Sequence, residues 1–175
     1  DAGGFPESYH KPSIEDVALG YRLKRKGINI ELVKDLQVTH LKRWTFTSLV
    51  TTDIMNRAIP WTRLAWTEGL PRDLNFRRSD RLSGVLACLL SLSLCLVPLW
   101  PMAYFLPLSF IIFLILLNHR LYRFFFREKG AVFTSASVLF HWFYLVYSSL
   151  TFAVMSALCF VQYRDLKDGA GSGMR

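Results

Sequence analysis

Residues 82–118 read LSGVLACLLSLSLCLVPLWPMAYFLPLSFIIFLILLN and contain no Asp, Glu, Lys or Arg. As one helix the run would be ~55 Å long at ~1.5 Å per residue, against a hydrocarbon core of ~30 Å. Pro98, Trp100 and Pro101 break it near its middle. Proline removes a backbone donor and biases its predecessor away from helix, so a tight turn there is natural. The pattern predicts one span near 82–99 and a second near 102–118. Residues 130–163 are equally free of these four residue types and predict a third span near 134–161. A buried helix of a water-soluble protein rarely needs more than ~14 uninterrupted apolar residues, whereas a span needs ~20. Trp100 and Tyr104 suit the aromatic belt of a membrane interface.

Working outward, the whole chain has 175 residues, 52% of them hydrophobic and 15% aromatic, and a formal charge of +8. That length bounds it to one or two domains. Arg72, Arg77, Arg78 and Arg81 precede the first expected span, and Arg120, Arg123, Arg127 and Lys129 separate the second from the third. The turn between the first two has no charge. The positive-inside rule then puts the N-terminal piece in the cytoplasm and the C-terminus outside. Cys88, Cys95 and Cys159 all lie in apolar runs, with no CxxC or Cys/His spacing, which excludes a zinc-finger or disulfide-framework reading. The chain opens on Asp1 in a glycine turn, without an initiating Met, and is expected to be a piece of something longer. Residues 164–175, rich in glycine, are expected to form a flexible tail.

Two polar features sit beside the apolar runs. Arg120, Arg123 and Arg127 fall at i, i+3, i+7, one face of a helix, among Tyr122, Phe124, Phe125 and Phe126. They read either as a plain topology anchor or as a seat for a lipid phosphate. His141, Tyr144, Ser148 and Thr151 make a polar stripe that serves helix packing or lipid-substrate passage.

The first 60 residues have the texture of an α/β segment. Ser13 is placed to cap a helix whose Ile14, Val17, Ala18 and Tyr21 share one face, with Gly27 closing it in the left-handed conformation. Ile28–Val33 and Leu36–Leu41 read as short strands. Residues 45–59 read as a helix stopped by Pro60. Trp61, Leu64, Trp66 and Leu70 suggest an interfacial element leading to the first span.

Glu15 and Asp16 lie in the first turn of the capped helix, where acids complement the helix dipole by ~0.3–1 kcal/mol. A sharper possibility is a general base at a helix N-terminus beside a loop containing Gly3 and Gly4, since glycines allow a backbone to approach a sugar or phosphate. His40 reads as structural or as a metal ligand. Arg43 suits a diphosphate or a plain surface position. Trp44 suits a sugar ring or an anchor for the next helix.

The order Gly3-Gly4-Phe5-Pro6-Glu7, Ile14-Glu15-Asp16-Val17-Ala18-Leu19-Gly20-Tyr21-Arg22-Leu23, Gly27 and Val38-Thr39-His40-x-Lys42-x-Trp44-Thr45 resembles the C-terminal half of a family 2 glycosyltransferase. Residues 118–130, with His141-Trp142 and 144–147, look like the membrane part of bacterial members. The resemblance implies an α/β remnant, the C-terminal part of a GT-A nucleotide-diphospho-sugar transferase domain over 1–60. An interfacial linker over 61–81 and three transmembrane helices within 82–163 would follow, with interfacial amphipathic helices. It implies Asp16 as catalytic base with Glu15 beside it, Gly3, Gly4, Arg43 and Trp44 as substrate-binding residues, and His40 as a ligand of a divalent cation, Mg2+ or Mn2+. His40-x-x-Arg43-Trp44 is similar to the Gln-x-x-Arg-Trp element of processive synthases, with His in place of Gln.

No Asp-x-Asp occurs in the chain. In the family that motif holds metal and nucleotide diphosphate, so it is expected in a missing N-terminal half, without which the piece would be inactive. The implied partners are a nucleotide-sugar donor, a lipid-linked or glycan acceptor and membrane lipids, with no nucleic acid. The implied location is a bacterial inner membrane. From other function classes, a membrane-anchored interaction module and a subunit of a transport complex remain as alternatives.

Overall fold

The computed structural model describes residues 3–5, 13–39, 41–68 and 77–172. In chain order its helices are α1 (Glu15–Arg25), α2 (Phe46–Thr51), a π-helical stretch (Thr52–Ala58), α3 (Ile59–Glu68), α4 (Arg78–Leu96), a 3-10 turn (Pro101–Tyr104), α5 (Phe105–Leu117) and α6 (His119–Ser172). They fall into two compact units, one drawn from Asp1–Gly69 with Met155–Arg175, the other from Leu70–Val154.

In the first unit the expected α/β remnant is not formed, because the described residues contain no strand. Ile28–Val33 and 36–39 run as exposed irregular chain, with Leu32 87% and Val38 90% exposed. Their physical difficulty is the lack of a partner. The Lys34-Asp35 connection turns the chain, with Leu36 N–H donating to Val33 C=O at 3.3 Å. It lacks the positive-φ residues of a two-residue hairpin, and an isolated pair of strands is marginal without a third strand or a helix to cover it.

α1 forms where its apolar spacing predicts, and its C-terminus closes as expected. Gly27 takes φ 74°, and Ile28 N–H reaches back to Leu23 C=O at 3.1 Å. Its N-terminus differs from expectation. Ile14, not Ser13, is the N-cap residue, and no side chain caps the helix. Ser13 Oγ donates instead to the carbonyl of Asn56 at 2.6 Å.

That carbonyl is available for a reason. Pro60 does not stop the helix as the sequence suggests; it sits in the first turn of α3, just after the π-helical stretch. Proline has no N–H to donate, and its ring crowds the carbonyl four residues back, which is Asn56. The backbone answers with a wider turn, in which Ile59 N–H bonds Ile54 C=O, and the orphaned Asn56 oxygen is taken up by Ser13. Thr45 opens α2 with a capping box to Ser48. α3 was expected to lie in a membrane interface. Its Trp66 is exposed, its Thr62 and Ala65 are buried, and its Trp61 meets Tyr21 of α1 edge-on at 6.4 Å.

The second unit is built on the hairpin of α4 and α5. The chain reverses through Val97–Trp100, with Trp100 N–H bonding Leu96 C=O at 2.9 Å. Ser83, Gly84 and Ala87 of α4 are all buried, and Ala87, Leu90, Leu114 and Leu145 form the core cluster. Small residues let α6 come close. Gly84 lies against Ser149, so that a Cβ added there would collide with the Ser149 hydroxyl. Trp142 Nε1 donates to Ala87 C=O at 3.3 Å, and Asn118 Nδ2 donates to Ser83 Oγ at 3.0 Å.

α6 is broken at Gly130, whose φ of 78° and ψ of −176° suit only glycine, giving stretches 119–129 and 131–172. The second stretch continues through Ser172, past the position where a flexible tail was expected. Three spans were also expected. Two helices, Arg78–Leu96 and His119–Arg164, are long and apolar enough to cross a membrane by length and composition. The expected second span appears as a shorter apolar helix, Met102–Leu117, ~24 Å long at ~1.5 Å per residue and below that length.

Two outcomes follow from this packing. Ser13→Ala should leave the Asn56 carbonyl unpaired and cost about 1–3 kcal/mol, read as a lower thermal midpoint. An unchanged midpoint would mean that water replaces the bond. Gly84→Ala should destabilise by about 1–3 kcal/mol through overpacking, and adding Ser149→Ala should restore most of the loss. Strict additivity of the two substitutions would refute that contact.

Candidate functional site

The expected catalytic pair sits at the start of α1, and the two carboxylates are used differently. Glu15 is half-buried, and its Oε2 accepts the Ser13 N–H at 2.6 Å. It therefore braces the turn that sends Ser13 Oγ to Asn56. Asp16 is exposed, and its Oδ1 accepts the N–H of Val17 at 2.8 Å. Both lie in the first turn of α1, where an acidic side chain complements the helix dipole.

Gly3 and Gly4 have φ of 76° and 64°, left-handed values that side chains strain to adopt. Arg22 Nη1 donates to the Gly4 carbonyl at 3.2 Å, which ties this loop to α1. The Gly-Gly segment and the Glu15-Asp16 helix are thus held together by an arginine from the same helix. Arg22 was noticed in the sequence only as part of a motif, without a role.

Trp44 is joined to the segment after α2 by a route that the sequence did not suggest. Arg57, next to Asn56, pairs with the buried Asp53 at 2.8 Å and lies 6.0 Å from the Trp44 ring centroid. Lys42 Nζ stands 4.0 Å over the same ring. One face of Trp44 therefore holds a cation, an arrangement electrostatically favourable to the ring quadrupole. Arg43 is exposed, and His40 lies outside the described residues. Ser13, Asp53, Asn56 and Arg57 were all missed as parts of this region. The i, i+4 spacing of Asp53 and Arg57, and a proline four residues after Asn56, were the available signals.

Of the expected metal site, the one ligand in this chain, His40, lies outside the described residues. Among the described residues no three His, Cys, Asp or Glu side chains gather where an ion could be held.

In the second unit, Arg120, Arg123 and Arg127 are exposed on stretch 119–129, and Tyr122 is buried. The Tyr122 hydroxyl and His141 Nδ1 are 2.9 Å apart, so the two parts of α6 are joined across the Gly130 break. The stripe that His141 was expected to begin is largely spent on its own helix. Ser148 Oγ donates to Leu145 C=O at 3.3 Å and Thr151 Oγ1 to Tyr147 C=O at 2.8 Å. Hydroxyls that bond back to the preceding turn satisfy themselves without a partner helix. Tyr144 stacks on His141 with centroids 6.2 Å apart.

Comparison of the chain with protein families, with curated proteins and with solved structures finds no match in any of the three.

Proposed function

We propose that the chain is the acceptor-side portion of a membrane-bound inverting glycosyltransferase, moving a sugar from a nucleotide-sugar donor to a lipid-linked or membrane-associated acceptor. The observation that carries this reading is the unequal state of two adjacent carboxylates. Each accepts one backbone N–H, but Glu15 is half-buried, whereas Asp16 is exposed at the N-terminus of α1. The tethered Gly3-Gly4 loop supports it further, since a left-handed glycine backbone leaves room for a sugar or diphosphate.

In this mechanism Asp16 accepts the proton of an acceptor hydroxyl as that oxygen attacks the anomeric carbon. The bond from that carbon to the nucleotide diphosphate breaks, and its electron pair leaves with the diphosphate oxygen. A hydroxyl acceptor, with a pKa far above neutral, needs such a base. The chain has no Asp-x-Asp, so donor binding falls to residues that it does not contain.

The bilayer part of the proposal rests on which apolar surface faces outward. Only 6% of the apolar window in His119–Arg164 and 28% of that in Arg78–Leu96 is buried, whereas a core helix of a soluble protein would be mostly covered. Leu92, Phe113 and Leu150 are each more than half exposed. Leaving such a side chain in water forgoes about 1.5–3 kcal/mol relative to burying it, and lipid removes that cost. With the basic flanks inside, the expected orientation puts Glu15 and Asp16 at the cytoplasmic face of an inner membrane.

The test uses membranes that contain the product of the full open reading frame encoding this chain, incubated with a panel of labelled nucleotide sugars. Label should enter a lipid-extractable or membrane-bound product. Asp16→Asn should lower that transfer by about 10²- to 10⁴-fold while membrane insertion is unchanged. Turnover retained by Asp16→Asn would remove the base assignment, and no incorporation from any donor would overturn the enzyme reading.

A further inference from the structure

The Leu70–Val154 unit carries its charge at one end. Arg77, Arg78 and Arg81 stand at the start of α4, and Arg120, Arg123 and Arg127 follow directly on α5. The Asn118–Ser83 bond fixes these two stretches side by side, because each of its partners adjoins one arginine group. At the other end of the hairpin, 97–104 has no charged residue at all. All six arginines are exposed, and among the described residues none of Arg120, Arg123 and Arg127 is paired with a carboxylate.

The stretch 119–129 is also two-sided. At ~100° per residue, Arg120, Arg123 and Arg127 share one side, and the buried Tyr122 points more than a quarter-turn away from them. Phe124 and Phe126, 57% and 58% exposed, flank the arginine face. The Tyr122–His141 bond and the Gly130 break hold the stretch as a separate short helix against the unit.

We propose that this end of the unit is a binding surface for the headgroups of anionic phospholipids. Arg120, Arg123 and Arg127 bind the phosphates, and the rings of Phe124 and Phe126 lie at the acyl boundary. Charge complementarity selects that occupant: a cluster of unpaired positive charges matches headgroups of net negative charge, and adjacent exposed rings match the first methylenes. A free anion would gain nothing from the phenylalanines, and a nucleic acid would meet them with its phosphates. The inference rests on the bilayer reading proposed above, and goes beyond it by assigning lipid selectivity to named residues.

Native mass spectrometry of the full-length protein in detergent, with phosphatidylglycerol and phosphatidylcholine at equal concentration, tests the assignment. Phosphatidylglycerol adducts should exceed phosphatidylcholine adducts by about fivefold or more, as expected for a few basic side chains at an anionic surface. The triple substitution Arg120→Gln, Arg123→Gln, Arg127→Gln should bring the two to parity, while the corresponding triple Lys variant keeps most of the preference. Equal adducts in the natural protein would overturn the proposal. So would displacement of phosphatidylglycerol by millimolar inorganic phosphate or by a short RNA. Carbonate extraction of the source membranes separates the two levels. A protein released by carbonate sinks both the bilayer reading and this surface, whereas a retained protein without lipid preference sinks the surface alone.

Discussion

Close approach of α4 to α6 is the contact on which the apolar unit depends. Ser83, Gly84 and Ala87 present almost no side-chain bulk, and all three are buried. Into that space come the Ser149 hydroxyl and the Trp142 indole, whose N–H reaches a backbone carbonyl of α4. Small residues and hydrogen bonds specify this contact, because they permit an approach that bulkier side chains would block. The apolar majority of α4, α5 and α6 is then left free to face outward.

The first unit depends on a different kind of constraint, a proline that the helix accepts at a cost. Pro60 forces the π-helical stretch and frees the Asn56 carbonyl, and Ser13 fills the vacancy. Ser13 is in turn held by Glu15 through its backbone N–H. A single irregularity thereby links α1 to the segment that carries Asp53, Arg57 and, through Arg57, Trp44. Irregular helical turns of this kind often sit at functional sites. Here it links Ser13, beside the Glu15-Asp16 turn, to Asn56, whose neighbour Arg57 lies by Trp44.

Long-range pattern was legible in the sequence, and local competition was not. The apolar runs, the break near Pro98 and the left-handed Gly27 could be read directly, because each depends on residues close in the chain. The strands at Ile28–Val33 and Leu36–Leu41 could not be excluded from their composition, since a strand exists only with a partner, and partners lie outside any window. Pro60 misled in the same way: its effect depends on whether something else can satisfy Asn56. Ser13 carried the right chemistry for a cap, but its hydroxyl found a better acceptor 43 residues away. Asp16 was legible as a candidate; both it and Glu15 accept a backbone N–H, and what separates them is exposure, which no spacing rule reveals.

That the outward apolar surface meets lipid is the claim that supports the rest, and side-chain environment measures it directly. Spin labels would be placed at Leu89→Cys and Leu150→Cys, with Asp16→Cys as the water-facing reference, in the full-length protein lacking Cys88, Cys95 and Cys159 and reconstituted in bilayers. Collision rates with oxygen and with a water-soluble nickel chelate would be compared. Labels at 89 and 150 should collide freely with oxygen and be shielded from nickel, while the label at 16 shows the reverse. Nickel accessibility at 89 and 150 equal to that at 16 would contradict the account.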